Sequence, residues 1–472
     1  MATHDDLLEI PVDGLYFKKL ERLQRQHNIN YYNVRFGVNK STNLRINQGN
    51  MRAAHSTLGY GFSIQAFKDG GFGFAVSNII SLDELEEKFR EAAKLASFAA
   101  KKAEKPFKID ELDPMETSYT QPMKKSLLDV SQEEKIEFLL DQDKIASKLD
   151  DRIVNTNSFY GDTIYHQIIV TSDQRIIDLT ESSAIVFIRA YAKEGGVNQA
   201  ARANIGITGG YEIVDVASHL GRKAANRAIE LLDAKPVDGG KYNIIIDPLL
   251  AGTFIHEAFG HASEADAVLA NESQLAGKID KRVGPEFINI VDHPKIGNSF
   301  GNIMYDSEGI KAEPIHLVKN GVFTNYIHSR ETASKMGVKP SGNGRSDSYA
   351  STPLVRMRNT YIEPGDWSLE EMLEDLGNGI LCINWNYGYT EPAIGQFMFK
   401  MERAWKIENG EKTQLLRDAA LSGMMLEVLN NVKALSKDKE MDMGRCGKGG
   451  QSVPVGSGGP YVSLKDVVIG GM

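Results

Sequence analysis

His256-Glu257-Ala258-Phe259-Gly260-His261 lies near the middle of a 472-residue chain, and its spacing decides how the surrounding segment folds. Zinc-protease helices carry two histidines at i and i+4, so that one face offers both rings to one metal. At about 100° per residue, i+4 leaves the rings roughly 40° apart, whereas i+5 opens the angle to about 140°. A straight α-helix would aim His256 and His261 in different directions and make them two unrelated core histidines. A π-like turn, in which i and i+5 share a face, would bring them together. Local context favours the turn. Gly252 and Gly260 stand where alanine would stabilise a helix by roughly 1 kcal/mol each. Phe254, Ile255, Ala258 and Phe259 would keep water away from the histidines.

A catalytic zinc site needs three protein ligands and one open position. The residues alone leave the third ligand open among Glu264, Asp266, His293, His316, Cys382 and Cys446. Glu264 and Asp266 are close in sequence. Cys382 sits in the apolar, strand-like run 379–384 and reads as core packing. Cys446 lies in a turn-forming, glycine-rich segment, 444–451, between Arg445 and Lys448, two cations expected to lower its thiol pKa.

Outward from the hexapeptide, Tyr242-Asn243-Ile244-Ile245-Ile246 reads as a buried strand ending at Asp247-Pro248, with the metal-motif helix starting near Leu249. Upstream, Lys235-Pro236-Val237-Asp238-Gly239-Gly240 reads as a linker. Before it, 60–76 reads as a hairpin about Asp69-Gly70-Gly71, followed by a helix from Ser81 with a Ser81–Glu84 capping box. A second box, Ser131 with Glu134, opens a helix to Lys148. Segment 184–205 repeats the hairpin theme at Gly195-Gly196, and a helix over 213–233 follows, suggesting an internal duplication. Downstream, 286–291, 314–328, 353–362, 379–384 and 396–408 read as strands and 413–433 as a helix. The expected class is α+β. Residues 1–235 form an α+β domain with two hairpin-plus-helix units; residues 236–472 form a β-rich domain carrying the metal-motif helix.

Composition is that of a globular protein, with 42% hydrophobic and 25% charged residues. A net charge of -9 argues against a broad nucleic-acid surface. The N-terminus has no apolar signal region and no stretch reaches 18 apolar residues, so no membrane association is expected. Two cysteines are too few for a disulfide framework, which points to a cytoplasmic setting.

The hexapeptide together with Arg445-Cys446-Gly447-Lys448-Gly449-Gly450-Gln451-Ser452-Val453-Pro454-Val455-Gly456 resembles the TldD/PmbA family of metallopeptidases, also described as modulators of DNA gyrase. Residues 302–309, 319–321, 356–360 and 467–471 extend the resemblance over most of the chain. It implies a zinc ion, one per catalytic chain, held by His256, His261 and Cys446, with Glu257 as the catalytic glutamate. Ala258 and Phe259 replace smaller residues and would narrow the pocket. The intact motif resembles the TldD type, so the implied assembly is a homodimer or a heterodimer with a motif-lacking PmbA (TldE) chain. Implied substrates are unfolded or short peptides. For these, Gln451, Ser452 and Val453 open an extended segment that offers its backbone edge to a peptide. The polar stretch 341–349 offers a second wall, with Tyr349 and with Arg345 to grip a carboxylate. Two other readings stand beside the peptidase: a regulatory binding protein of a nucleic-acid enzyme, and a thiol hydrolase using Cys446 with His261 or His293.

Overall fold

Asp69-Gly70 and Gly195-Gly196 all adopt positive φ, between 48° and 86°, the backbone that a two-residue hairpin turn matched to strand twist requires. These two turns shape a seven-stranded sheet in the computed structural model, which describes residues 8–103 and 106–471. Its strands run in the order Gly71–Ser77, Asn50–Lys68, Tyr31–Asn47, Ile153–Thr171 and Arg175–Glu194. Met115–Thr120 and Val197–Thr208 share the outer edge of the last. The helices Gly14–His27, Leu82–Ala100, Gln132–Ser147 and Leu220–Glu230 lie on one side of it. Ser81 and Ser131 cap two of these helices by accepting from the Glu84 and Glu134 amides, at 3.2 and 3.1 Å. Only half of each expected capping box forms, because Glu84 bonds Ser77 and Glu134 bonds Lys125.

Period-two alternation gives this sheet two unlike faces. Tyr32, Val34, Phe36 and Val38 pack under the helices. Asn33, Arg35, Gly37, Asn39 and Ser41 fall on the opposite face, against loops of the second half. Arg35, fully buried, donates to the Ser348 and Tyr349 carbonyls at 3.1 Å each and to Ser346 Oγ and the Ser351 carbonyl. One strand residue thereby fastens the loop that joins Gly344–Arg345 to Leu354–Val355, a small two-stranded sheet of the second half.

The second sheet is twelve-stranded and assembled around Gln451–Gly471. That long strand pairs with Val432–Lys448, Gly240–Ile246, Ala419–Met424 and, in parallel, Asn359–Ile362. Lys235–Pro236, read as linker, already pairs with Glu411–Arg417 at the edge of this sheet. Three expectations are corrected. The 413–433 segment is mainly the strands Glu411–Arg417 and Ala419–Met424, hinged at Asp418 (φ 54°), with a helix only over Met425–Asn430. Pairing with Gln396–Glu408 overrides local helix preference there. The 213–233 helix is broken into Ile213–Ala217 and Leu220–Glu230. Cys446 is not in a turn: it lies within Val432–Lys448, and the turn follows at Gly449-Gly450.

Candidate metal centre

Asp247 starts the motif helix by accepting from the Leu250 amide at 2.9 Å, with Pro248 at the first helical position. After six α-helical residues the backbone unwinds into a π-helix over Phe254–Gly260. The His261 amide donates to the His256 carbonyl, the five-residue step that puts i and i+5 on one face. The two rings stand 5.2 Å apart. Gly260 has ordinary helical φ; it is small because Met357 packs where a Cβ would be. Gly252 likewise admits the backbone at Gly458.

Strand pairing supplies the third group. Cys446, opposite Val453 in the C-terminal hairpin, is 3% exposed and directs Sγ to 3.4 Å from His261 Nε2. Ligand atoms of His256, His261 and Cys446 all lie within 4.8 Å of one another. His256 Nδ1 is buried without a hydrogen-bond partner. Two imidazoles and a thiolate are a donor set that fits zinc. Burial opposes ionisation of Cys446, but charge and hydrogen bonding from His256 and His261 outweigh it and bring the thiol down to about 5. These histidines, rather than Arg445 and Lys448, are what lower it.

Glu264 and Asp266 take a different position from the one proximity suggested. Glu264, 2% exposed, places Oε2 3.0 Å from His261 Nδ1, fixing the ring so that Nε2 faces the cluster. Lys448 holds that carboxylate at 2.9 Å and also bonds Asp266 and the Val355 carbonyl. Burial disfavours charge on His261, yet Glu264 and Cys446 raise its pKa well above the usual value. Arg356, fully buried, braces the strand by donating to the Cys446 carbonyl. Glu257 Oε2 lies 3.8 Å from His261 Nε2, and its side chain is 37% exposed, so this carboxylate borders both cluster and solvent.

Other predicted residues lie elsewhere. Cys382 is core-buried and its thiol is pushed up by burial and Asp247. His293 accepts from the Lys295 amide, and His316 pairs with Glu363. Arg345 is buried and donates to the Met357 and Pro454 carbonyls, so its guanidinium is already engaged. Tyr349 bonds the Tyr60 carbonyl and fills the space above Gly61. Gln451 reaches the Thr352 carbonyl, Val453 faces the core, and the Ser452 amide donates to Asp347 at 3.2 Å. The outward edge of 452–454 is thus covered by side chains of this chain. Arg35 and Lys448 were missed as organisers; the alternation of polar residues from Asn33 to Ser41 was the available signal for the first.

Comparison with known proteins places this geometry. Residues 239–471 match the PmbA/TldA metallopeptidase C-terminal domain, 125–232 the central domain and 32–96 domain 1. A metalloprotease of Methanocaldococcus jannaschii is 38% identical over 95% of this chain and 98% of its own. A zinc metalloprotease TldD homolog of Saccharolobus solfataricus is 33% identical over 72% of this chain and 77% of its own. TldE from Thermococcus kodakarensis shares the fold at a TM-score of 0.79 and 17% identity, covering 97% of this chain and 100% of its own. With all three family domains matched in order around a His-His-Cys cluster, the chain belongs to the PmbA/TldD metallopeptidase family.

Proposed function

We propose that this chain is a TldD-type zinc peptidase that hydrolyses unfolded or short peptides, with His256, His261 and Cys446 holding one zinc ion and Glu257 as general base. The observation that carries the reading is the π-turn, which sets both histidines against Cys446 while leaving Glu257 beside them and open to solvent. A zinc ion there would supply Lewis acidity and lower the pKa of water. Glu257 would take a proton from the attacking water and return it to the leaving amine. Glu264 and Lys448 hold His261 in register throughout. The apolar residues behind the cluster, Phe254, Ile255, Ala258 and Phe259, exclude water from its rear. The TldE fold neighbour supports a motif-lacking chain as partner, with a homodimer as the alternative. Among the described residues no helix is long and apolar enough to cross a membrane.

Elemental analysis of the purified protein beside Cys446→Ser, with peptide hydrolysis by Glu257→Ala, tests this reading. One zinc per chain, absent from Cys446→Ser but kept by an inactive Glu257→Ala, is the expected result. A second reading has its own support: the Cys446 thiol at about 5, 3.4 Å from His261, also suits a nucleophilic thiolate. Inactivation by alkylation together with indifference to chelators would favour the thiol enzyme. Partner binding that survives both Glu257→Ala and chelation would favour a purely regulatory role.

A further inference from the structure

On the other face of the C-terminal hairpin, the polar side of the first sheet and the second half of the chain line a half-open cavity of about 210 Å³. Strand alternation puts Arg445, Ser452 and Pro454 on this side, opposite Cys446 and Val453. Most of its charged lining is already satisfied. Asp306 accepts from the Glu308, Ile310 and Gly344 amides, and Asp347 from the Ser452 amide and Ser351 Oγ. Arg345 is held by two carbonyls.

Four groups are not. Gln167 and Ser182 are only 3% and 4% exposed, yet Gln167 Oε1 and Ser182 Oγ have no hydrogen-bond partner, and neither has the buried Tyr165 hydroxyl. Glu181, paired across the strands with Tyr165, has a single weak contact, from Gln167 Nε2 at 3.5 Å. Burial pushes the Glu181 carboxyl up to about 7, with Arg345 and Gln167 offsetting only part of it. Gly37 leaves room for the tyrosine, since a Cβ there would lie 2.8 Å from Tyr165 Oη. Once ionised, Glu181 offers acceptors only, as Gln167 Oε1 does, and both hydroxyls can accept. Of the cations that line the cavity, Arg345 is held by two carbonyls and Arg445 by the Ser452 carbonyl and the Phe300 ring, so what these four groups lack is a donor with several N–H groups and a positive charge.

We propose that this cavity binds a primary ammonium group carried by a peptide, with Glu181 as counter-ion and Gln167 Oε1, Tyr165 Oη and Ser182 Oγ as further acceptors. That the ammonium belongs to a peptide rests on the peptidase reading; the ammonium site itself stands on the unpaired acceptors alone. A peptide α-amino group and a lysine side chain share this chemistry.

Calorimetric titration of metal-loaded Glu257→Gln protein with Ala-Ala-Ala amide, its N-acetyl form, and N-acetyl-Ala-Lys-Ala amide separates the outcomes. A charge-assisted hydrogen bond to Glu181 predicts at least about tenfold tighter binding of the free-amine peptide than of the acetylated one. Glu181→Gln is expected to abolish that preference. Recovery of affinity by the lysine peptide supports the site and assigns its ligand to a side chain. Equal affinity for the first two peptides means that the cavity holds water only, and overturns the proposal. So does a preference that persists in Glu181→Gln. Should that variant fail to fold, Gln167→Met is expected to weaken the same preference. Repeating the titration on chelator-stripped wild-type protein keeps the result independent of peptidase activity.

Discussion

The two faces of the C-terminal hairpin treat polar groups in opposite ways. Toward the π-turn, carboxylates and cations are paired: Glu264 with His261 and Lys448, Lys448 with Asp266. Unpaired buried atoms remain there too, His256 Nδ1 and Glu264 Oε1 with Arg356 Nε and Nη1, each on a residue that has another partner or belongs to the metal-type cluster. Toward the first sheet, Gln167, Tyr165 and Ser182 carry buried unpaired atoms around an underused carboxylate. Buried polar atoms are normally satisfied, so an unsatisfied one marks either a ligand position or a cost. The hairpin separates a site whose polar framework is built into the chain from one whose acceptors await a partner.

Perturbing the paired face is expected to give the larger effects. Cys446→Ser should eliminate stoichiometric metal by elemental analysis; metal at wild-type occupancy would remove the cysteine from the ligand set. Glu257→Gln should keep the metal while peptide hydrolysis falls by about 10²–10⁴-fold, the usual weight of a general base. Glu264→Gln tests the support behind His261 and should weaken metal affinity by about 10–100-fold in chelator competition. An unchanged affinity would mean that the ring needs no such support. Gly260→Ala should cost about 1–3 kcal/mol of stability in denaturant unfolding, because the added Cβ meets the buried Met357.

Metal affinity should also follow pH with a definite sign. The Cys446 thiol is lowered to about 5, so its thiolate is available above that pH and is lost as pH falls through it. The pKa of His261 is raised, so it must release its proton on loading. Affinity should therefore rise with pH, and loading at neutral pH should release protons measurable in a weakly buffered solution. A flat profile would contradict this pairing.

Residue spacing carried the pair of histidines, while the choice of Cys446 as third ligand and of Glu257 as catalytic glutamate came from the family resemblance. The i+5 interval of His256 and His261 required a π-turn if both rings were to serve one site, and one is present. The bond between Glu264 and His261 Nδ1 was not legible, since a nearby carboxylate can ligate or orient and only ring orientation separates the two. The lowered thiol was expected at Cys446, but for the wrong reason: neighbours in sequence were credited, while neighbours across 185 residues act. The hairpins at Asp69-Gly70 and Gly195-Gly196 were clear because type I′ turns are local. Segment 413–433 misled because its even apolar content suits helix or strand, and distant partners made the choice.

The distance between His261 and Cys446 along the chain, 185 residues, also sets a clock. Translation at about 5–20 residues per second leaves roughly 10–40 s during which the histidines exist without their thiolate. A nascent chain in that interval has Glu257, His256 and His261 but not the cysteine that completes the cluster. On the proposed peptidase reading, cutting power is thus withheld while most of the second sheet is still being made, and the chain's own unfolded segments are spared.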